Sequence, residues 1–403
     1  MSPRRPTWDA PGHDQQNRVS RASLSATSGA GNAGPPTTLF QHALRLHRLT
    51  PDTPLFRGGE PFPDAEGRPR RWSGLPYDPE AGAARAAEIL SAHFADDRAP
   101  SFRLVRELRD VPFPYRSDER IKAVALRAPA ARVRETGRLL VRYGTEPTPV
   151  AVGLALLTEV ATARDIPLIQ TIGLLSKPFA PAAVMALDRL QGGVEALIWL
   201  AERVTVWGRV HAVDKLLRRR DDHPAVRPWL LRRAADGDHL NAYFAAEVAR
   251  ATALHEVVAR SGDDAEVVDH AGQLLHVMKH CEGMGTSLRQ YEHAVTVMEA
   301  HARHIRVLGP TAERYFTAAS LAQYRGTQTR AWSDDPAVGA HWEGVRMSYL
   351  DLTDRADWCD VARKGLAAGD WRMTWLAGSM APELDLRAFR DLRTLRNGRD
   401  GEP

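Results

Sequence analysis

Apolar residues between Leu168 and Leu216 return at a shift of 26 positions. Val184, Ala186, Leu187 and Leu190 come back as Val210, Ala212, Val213 and Leu216, and Leu168, Ile172 and Leu174 as Val194, Ile198 and Leu200. Within each copy the apolar positions lie three and four apart, the spacing that puts side chains on one face of an α-helix. A unit of this length holds one helix pair and cannot bury its apolar face alone, so copies must stack. Pro129, Pro147, Pro167, Pro181, Gly192, Gly193, Pro224 and Gly237 fall between the periodic segments. Together they predict paired helices at about 118–127 with 130–143, 148–163 with 166–175, 179–190 with 193–203, and 206–219 with 225–235. Further helices are expected at about 238–260, 263–281, 288–306 and 311–325. The glycines at 283 and 285, followed by Ser287 and Gln290 in capping-box spacing, predict a sharp turn and a new helix.

The flanks read differently. Residues 1–36 are rich in Ser, Gly, Asn, Pro and Arg with no apolar face, so a disordered tail is expected. Residues 37–116 are expected to form an N-terminal cap: a helix over Thr38–Leu49, an irregular loop over Pro51–Pro79 with a small hairpin near Glu66-Gly67, and a helix from Glu80 bearing Ile89, Leu90 and Phe94. Pro112 and Pro114 predict an extended connection across Ser101–Tyr115. Helical repeats fill 117–325, and 326–403 is a helical C-terminal region holding five of the ten tryptophans, with helices at about 338–350, 354–367, 370–379 and 385–395.

Asp165-Ile-Pro167-Leu168-Ile169 opens one helix, Leu174-Leu175 closes it, and Ala182-Ala183-Val184 with Ala186-Leu187 lies on the next. This pattern resembles a HEAT-type repeat, and the second copy carries Arg209 where the first has Ala183. The resemblance implies an all-α fold, an α-solenoid of HEAT-like antiparallel helix pairs with an irregular N-terminal cap and a Trp-rich helical C-terminal region. It further implies a non-enzymatic scaffold that holds a protein or peptide partner on a concave face. One enzyme group with a HEAT-like fold, the alkylpurine DNA glycosylases, supplies a nucleic-acid-binding alternative, although their aromatic and aspartate site has no counterpart in this chain. An accessory enzyme with a pocket between the repeats and the C-terminal region is a third reading.

Charge sharpens this picture only locally. The net charge of +4 is too small to demand a nucleic-acid partner. Residues 215–233, however, carry a balance of +5, which suits phosphates or an acidic peptide. Trp199, Trp207, Arg209, Arg218, Arg219, Arg220, Arg227 and Arg232 are therefore the expected partner contacts. The competing reading places the arginines on a solvated face near helix C-termini and the tryptophans in contacts between repeats.

Candidate chemistry is sparse. His276 and His280 lie on one predicted helix and His293, His301 and His304 on the next, but the angular positions of His276, His280, His293 and His304 oppose the apolar stripes, so exposed imidazoles and no metal site are expected. His255-Glu256 begins like a zinc-protease helix, yet Ala259 stands at the second ligand position. No G-x-S-x-G, Walker or dinucleotide-binding motif occurs, and no cofactor is expected. Cys281 and Cys359, the only cysteines, are expected to be buried and inert. Val150–Leu157, the longest apolar run, is far below the ~20 residues that span a bilayer. Arg4-Arg5 is not followed by an apolar stretch, so a cytoplasmic location is expected.

Overall fold

The computed structural model describes residues 37–63, 78–113, 118–262, 264–281, 283–324 and 336–390, and every regular element among them is helical. The tail, the hairpin near Glu66-Gly67, the end of the helix expected at 385–395, and Trp332 lie outside the described residues. The chain divides into two compact units, with the boundary between Thr252 and Ala253. It falls inside the stretch expected to hold the repeats.

In the first unit, Thr38 caps α1 (Leu39–Leu49) in a full capping box with Gln41. Then come α2 (Pro79–Ala95), α3 (Phe102–Glu107), α4 (Glu119–Arg127), α5 (Ala130–Tyr143), α6 (Pro147–Val160), α7 (Ile166–Gly173), α8 (Ser176–Asp188), α9 (Gly193–Ala201), α10 (Val206–Arg218), α11 (Val226–Arg233) and α12 (Ala245–Ala251). Helix α3 corrects the extended connection expected at 101–115: the prolines that forbid helix lie beyond it, so a single amphipathic turn burying Leu104 forms first. Pro181, expected between helices, lies inside α8.

These helices pack with their next-but-one neighbours. Helices α2, α4, α6, α8 and α10 form one row and α3, α5, α7, α9 and α11 a second, with rungs such as α5 on α6, α7 on α8 and α9 on α10. The apolar stripes meet between the rows, where Leu90, Leu104, Ile121, Leu140 and Leu156 form one fully buried cluster. Contact is most extensive between α5 and α6. A Cβ at Gly153 would stand 2.8 Å from Leu140 Cβ and 2.9 Å from the Gly137 carbonyl, and one at Gly137 would stand 3.1 Å from the Gly153 carbonyl. Two facing glycines thus let the backbones meet.

Of the repeated apolar positions, Leu168, Ile172, Leu174, Val184, Ala186, Leu187, Leu200, Ala212, Val213 and Leu216 are buried, and Leu190, Val194, Ile198 and Val210 are half-buried. The helices themselves recur at 30 residues, since α8 begins at Ser176 and α10 at Val206. Capping contacts recur with them: Arg189 donates to the Thr158 carbonyl at 3.0 Å, and Arg219 to the Asp188 carbonyl at 2.9 Å. The difference of four residues is about one helical turn, so a 26-residue register keeps the buried face while slipping one turn along it.

In the second unit Ala253, at φ 50, starts a new helix, which breaks the single helix expected over 238–260. The elements are α13 (Leu254–Arg260), α14 (Ala265–Lys279), α15 (Ala294–Leu308), α16 (Ala312–Gln323), α17 (Pro336–Thr353), α18 (Ala356–Ala367), α19 (Trp371–Trp375), a π-helical turn Leu376–Met380 and α20 (Ala381–Leu384). Next-but-one contacts link α13, α15 and α17, and likewise α14, α16 and α18. Ser287 does bond Gln290 through its backbone N–H at 2.9 Å, but in a turn, and α15 starts seven residues later than Ser287 with His293 as its cap.

Candidate partner interface

The eight residues expected to meet a partner have different fates. Arg209 is only 6% exposed, which corrects its expected place at a partner surface. Its guanidinium donates to the carbonyls of Ala201 and Ala234 at 2.8 Å each, and to that of Arg233. These are carbonyls at the C-terminal ends of α9 and α11, which lack partners within their own helices. The signal was present in the sequence: an arginine stood on the helix face where the first copy has a buried alanine.

Trp199 is half-buried in the first unit. Arg203 lies over its ring at 4.6 Å and the His47 ring meets it edge-on at 5.3 Å. Arg203 in turn donates to the Pro51 carbonyl and pairs with Asp52. The segment that follows α1 therefore occupies the place next to Trp199 where a partner was expected.

The basic run is largely answered from within. Arg218 pairs with Asp214, Arg219 and Lys215 with Asp188, Arg220 with Asp221, and Arg233 with Glu202. Arg227 is exposed and Arg232 half-buried. The charge of +5 is thus spread among carboxylates and does not form an open cationic stripe.

Trp207 behaves otherwise. It is 38% exposed at the start of α10, with its ring 5.1 Å from that of Tyr243, which is 46% exposed, and 6.2 Å from that of His211. Two large aromatics side by side in water are unusual outside binding surfaces. The residue before Trp207 is Val206, at φ 55, a left-handed backbone that strains a β-branched side chain by about 1–3 kcal/mol.

One grouping of polar side chains is enzyme-like. In the second unit His276 Nδ1 lies 2.8 Å from Ser320 Oγ, and Lys279 Nζ lies 3.2 Å from the same oxygen. A serine beside two bases resembles a nucleophile, but Ser320 is fully buried. Burial lowers the Lys279 pKa to about 8, and its amine also donates to the Ser320 carbonyl and Gln323 Oε1. The amine ties α14 to the end of α16.

The expectation of solvent-facing imidazoles is corrected in the same region. His301 is buried with Nδ1 2.9 Å from Tyr349 Oη, which donates to the Met298 carbonyl. His304 reaches the Val258 carbonyl, and His293 stacks on His255 at 3.6 Å. His280 alone of the five is exposed. A helix in this arrangement meets neighbours on more than one side, so the face opposite its apolar stripe is also covered. Among the described residues no group of three or more metal-binding side chains converges. Burial pushes both cysteine thiols up in pKa, and both are buried. No described helix is long and apolar enough to cross a membrane.

No family model, no curated protein and no solved structure matches this chain.

Proposed function

We propose that the chain is a HEAT-like α-solenoid scaffold that docks a protein or peptide partner at the N-terminal end of α10, with Trp207 and Tyr243 as its anchors. The observation that carries this reading is the exposed Trp207–Tyr243 pair next to the strained Val206. The two rows of helices supply a rigid support, and a preorganised aromatic pair binds without losing much side-chain freedom. Local pairing of the arginines favours a protein over a nucleic acid, because a polyanion gains affinity from cations that are free to release its counterions.

Capture from a lysate of the source cells, by the wild-type chain and by W207A/Y243A, tests this. A discrete protein that is retained by the wild type and lost with the double variant, at unchanged melting temperature, is the expected result. Equal capture by both, or a capture abolished by nuclease, removes the reading.

A further inference from the structure

An open cleft of about 530 Å³ lies in the first unit, between the C-terminal half of α5 and the turn that leads into α7. Its charged groups are unequally matched. Asp165, almost fully buried, accepts Arg138 Nε at 2.5 Å, and its other oxygen accepts the Thr162 backbone N–H and hydroxyl. Burial opposes the Asp165 charge, but these hydrogen bonds outweigh it and hold the carboxyl below its ordinary pKa. Glu135, one turn earlier on α5, also acts on Arg138. Asp165 thus pairs directly with this guanidinium, which keeps further N–H donors beyond Nε, while Glu135 acts on it only through space.

Arg142 and Arg164 also line the cleft and are exposed. Arg142 rests over the Phe40 ring at 5.8 Å, an arrangement that leaves the N–H edge of a guanidinium available. Neither lies within ion-pair distance of a described carboxylate, whereas Arg138 does. The remaining wall is apolar and aromatic: Leu139, Leu168 and the exposed ring of Tyr143.

We propose that this cleft binds a phosphate monoester carried on an aromatic group. Two unneutralised guanidiniums match a group of about −1.5 to −2 charge with three acceptor oxygens. A monocarboxylate would leave one guanidinium unanswered. The Tyr143 ring and the two leucines cover the aromatic carrier, and a cleft of this size accommodates one small organic ligand. The cleft is separate from the Trp207–Tyr243 pair, and the proposal does not rest on that reading.

Calorimetric titration of the full chain at low ionic strength, with phenyl phosphate, inorganic phosphate and phenol as probes, tests it. Saturable binding of phenyl phosphate is expected, weakened by about tenfold or more in R164Q and again in R142Q. Y143A should weaken phenyl phosphate but leave inorganic phosphate unchanged, phenol should not bind, and R227Q should behave as wild type. Arg142 and Arg164 are exposed, so these variants are expected to melt as the wild type does. A nucleoside monophosphate and a phosphotyrosyl peptide, two carriers of this chemistry, then distinguish a free metabolite from a modified side chain by which binds more tightly. Failure of phenyl phosphate to saturate at millimolar concentration, or equal binding by wild type and R142Q/R164Q, overturns the proposal.

Discussion

Arg209 on α10 donates to the carbonyl of Ala201 at the end of α9, at 2.8 Å, while the same guanidinium holds the last carbonyls of α11. One side chain thereby ties together two neighbours in the opposite row. Arg132 does the same for the end of α2 through the carbonyls of His93, Phe94 and Asp96, and Arg314 for the end of α15 through those of Leu308 and Gly309. Cations at helix C-termini answer both the unpaired carbonyls and the helix dipole. These three arginines are accordingly structural.

Replacement of Arg209 by Met should cost about 3 kcal/mol, because it removes charge-assisted bonds and leaves buried carbonyls unpaired. Arg209→Lys should recover little, since one ammonium cannot span the ends of both α9 and α11. Urea unfolding followed by circular dichroism measures both. A loss below about 1 kcal/mol for the Met variant would show that the tie is dispensable.

Gly153→Ala should destabilise the first unit by about 1–3 kcal/mol, because the new methyl must displace the Leu140 Cβ or the Gly137 carbonyl. Gly344→Ala, on α17 with open space around its Cβ, should be neutral or stabilise by up to about 1 kcal/mol through helix propensity. Comparison of the two melting curves checks the close approach of α5 and α6. Equal effects would refute it.

The buried His301 and the half-buried His276 both have pKa values pushed down to about 3, from an ordinary 6.5, chiefly by burial. In the folded chain they stay neutral where the unfolded chain binds protons. The contribution of these two rings to stability is therefore full above about pH 6.5 and falls as pH drops from there toward 3, with a limiting slope of about 2.7 kcal/mol per pH unit for two protons. Urea midpoints at pH 7.5, 5.5 and 4.5 should decline in that order, and less steeply in His301→Gln. A midpoint independent of pH over this window would contradict the burial of both rings.

The elements that could be read from sequence were those fixed by local rules. Helices α4 and α5 match their expected spans closely because Asp118 and Pro129 open them and single apolar stripes run along them. What sequence missed depends on neighbours. Helix α8 runs through Pro181 because tertiary packing holds the turn even though proline removes a backbone donor. The break at Ala253 has no Gly or Pro to announce it. The angular position of His276 shows only one buried stripe, whereas its helix touches others on further sides, and Arg209 reads as a partner contact although it stands where the first copy has the buried Ala183. Trp207 could be named from sequence but its neighbour Tyr243 could not, since the two lie on different elements.

Site-specific photocrosslinking from positions 207 and 243 tests the docking reading most directly. A photoreactive aromatic residue at either position preserves the flat apolar contact, and one at Leu126, exposed on α4, serves as the reference. The same discrete crosslinked protein is expected from 207 and 243, and none from 126. Identical products from all three positions, or none from 207 and 243, would contradict it.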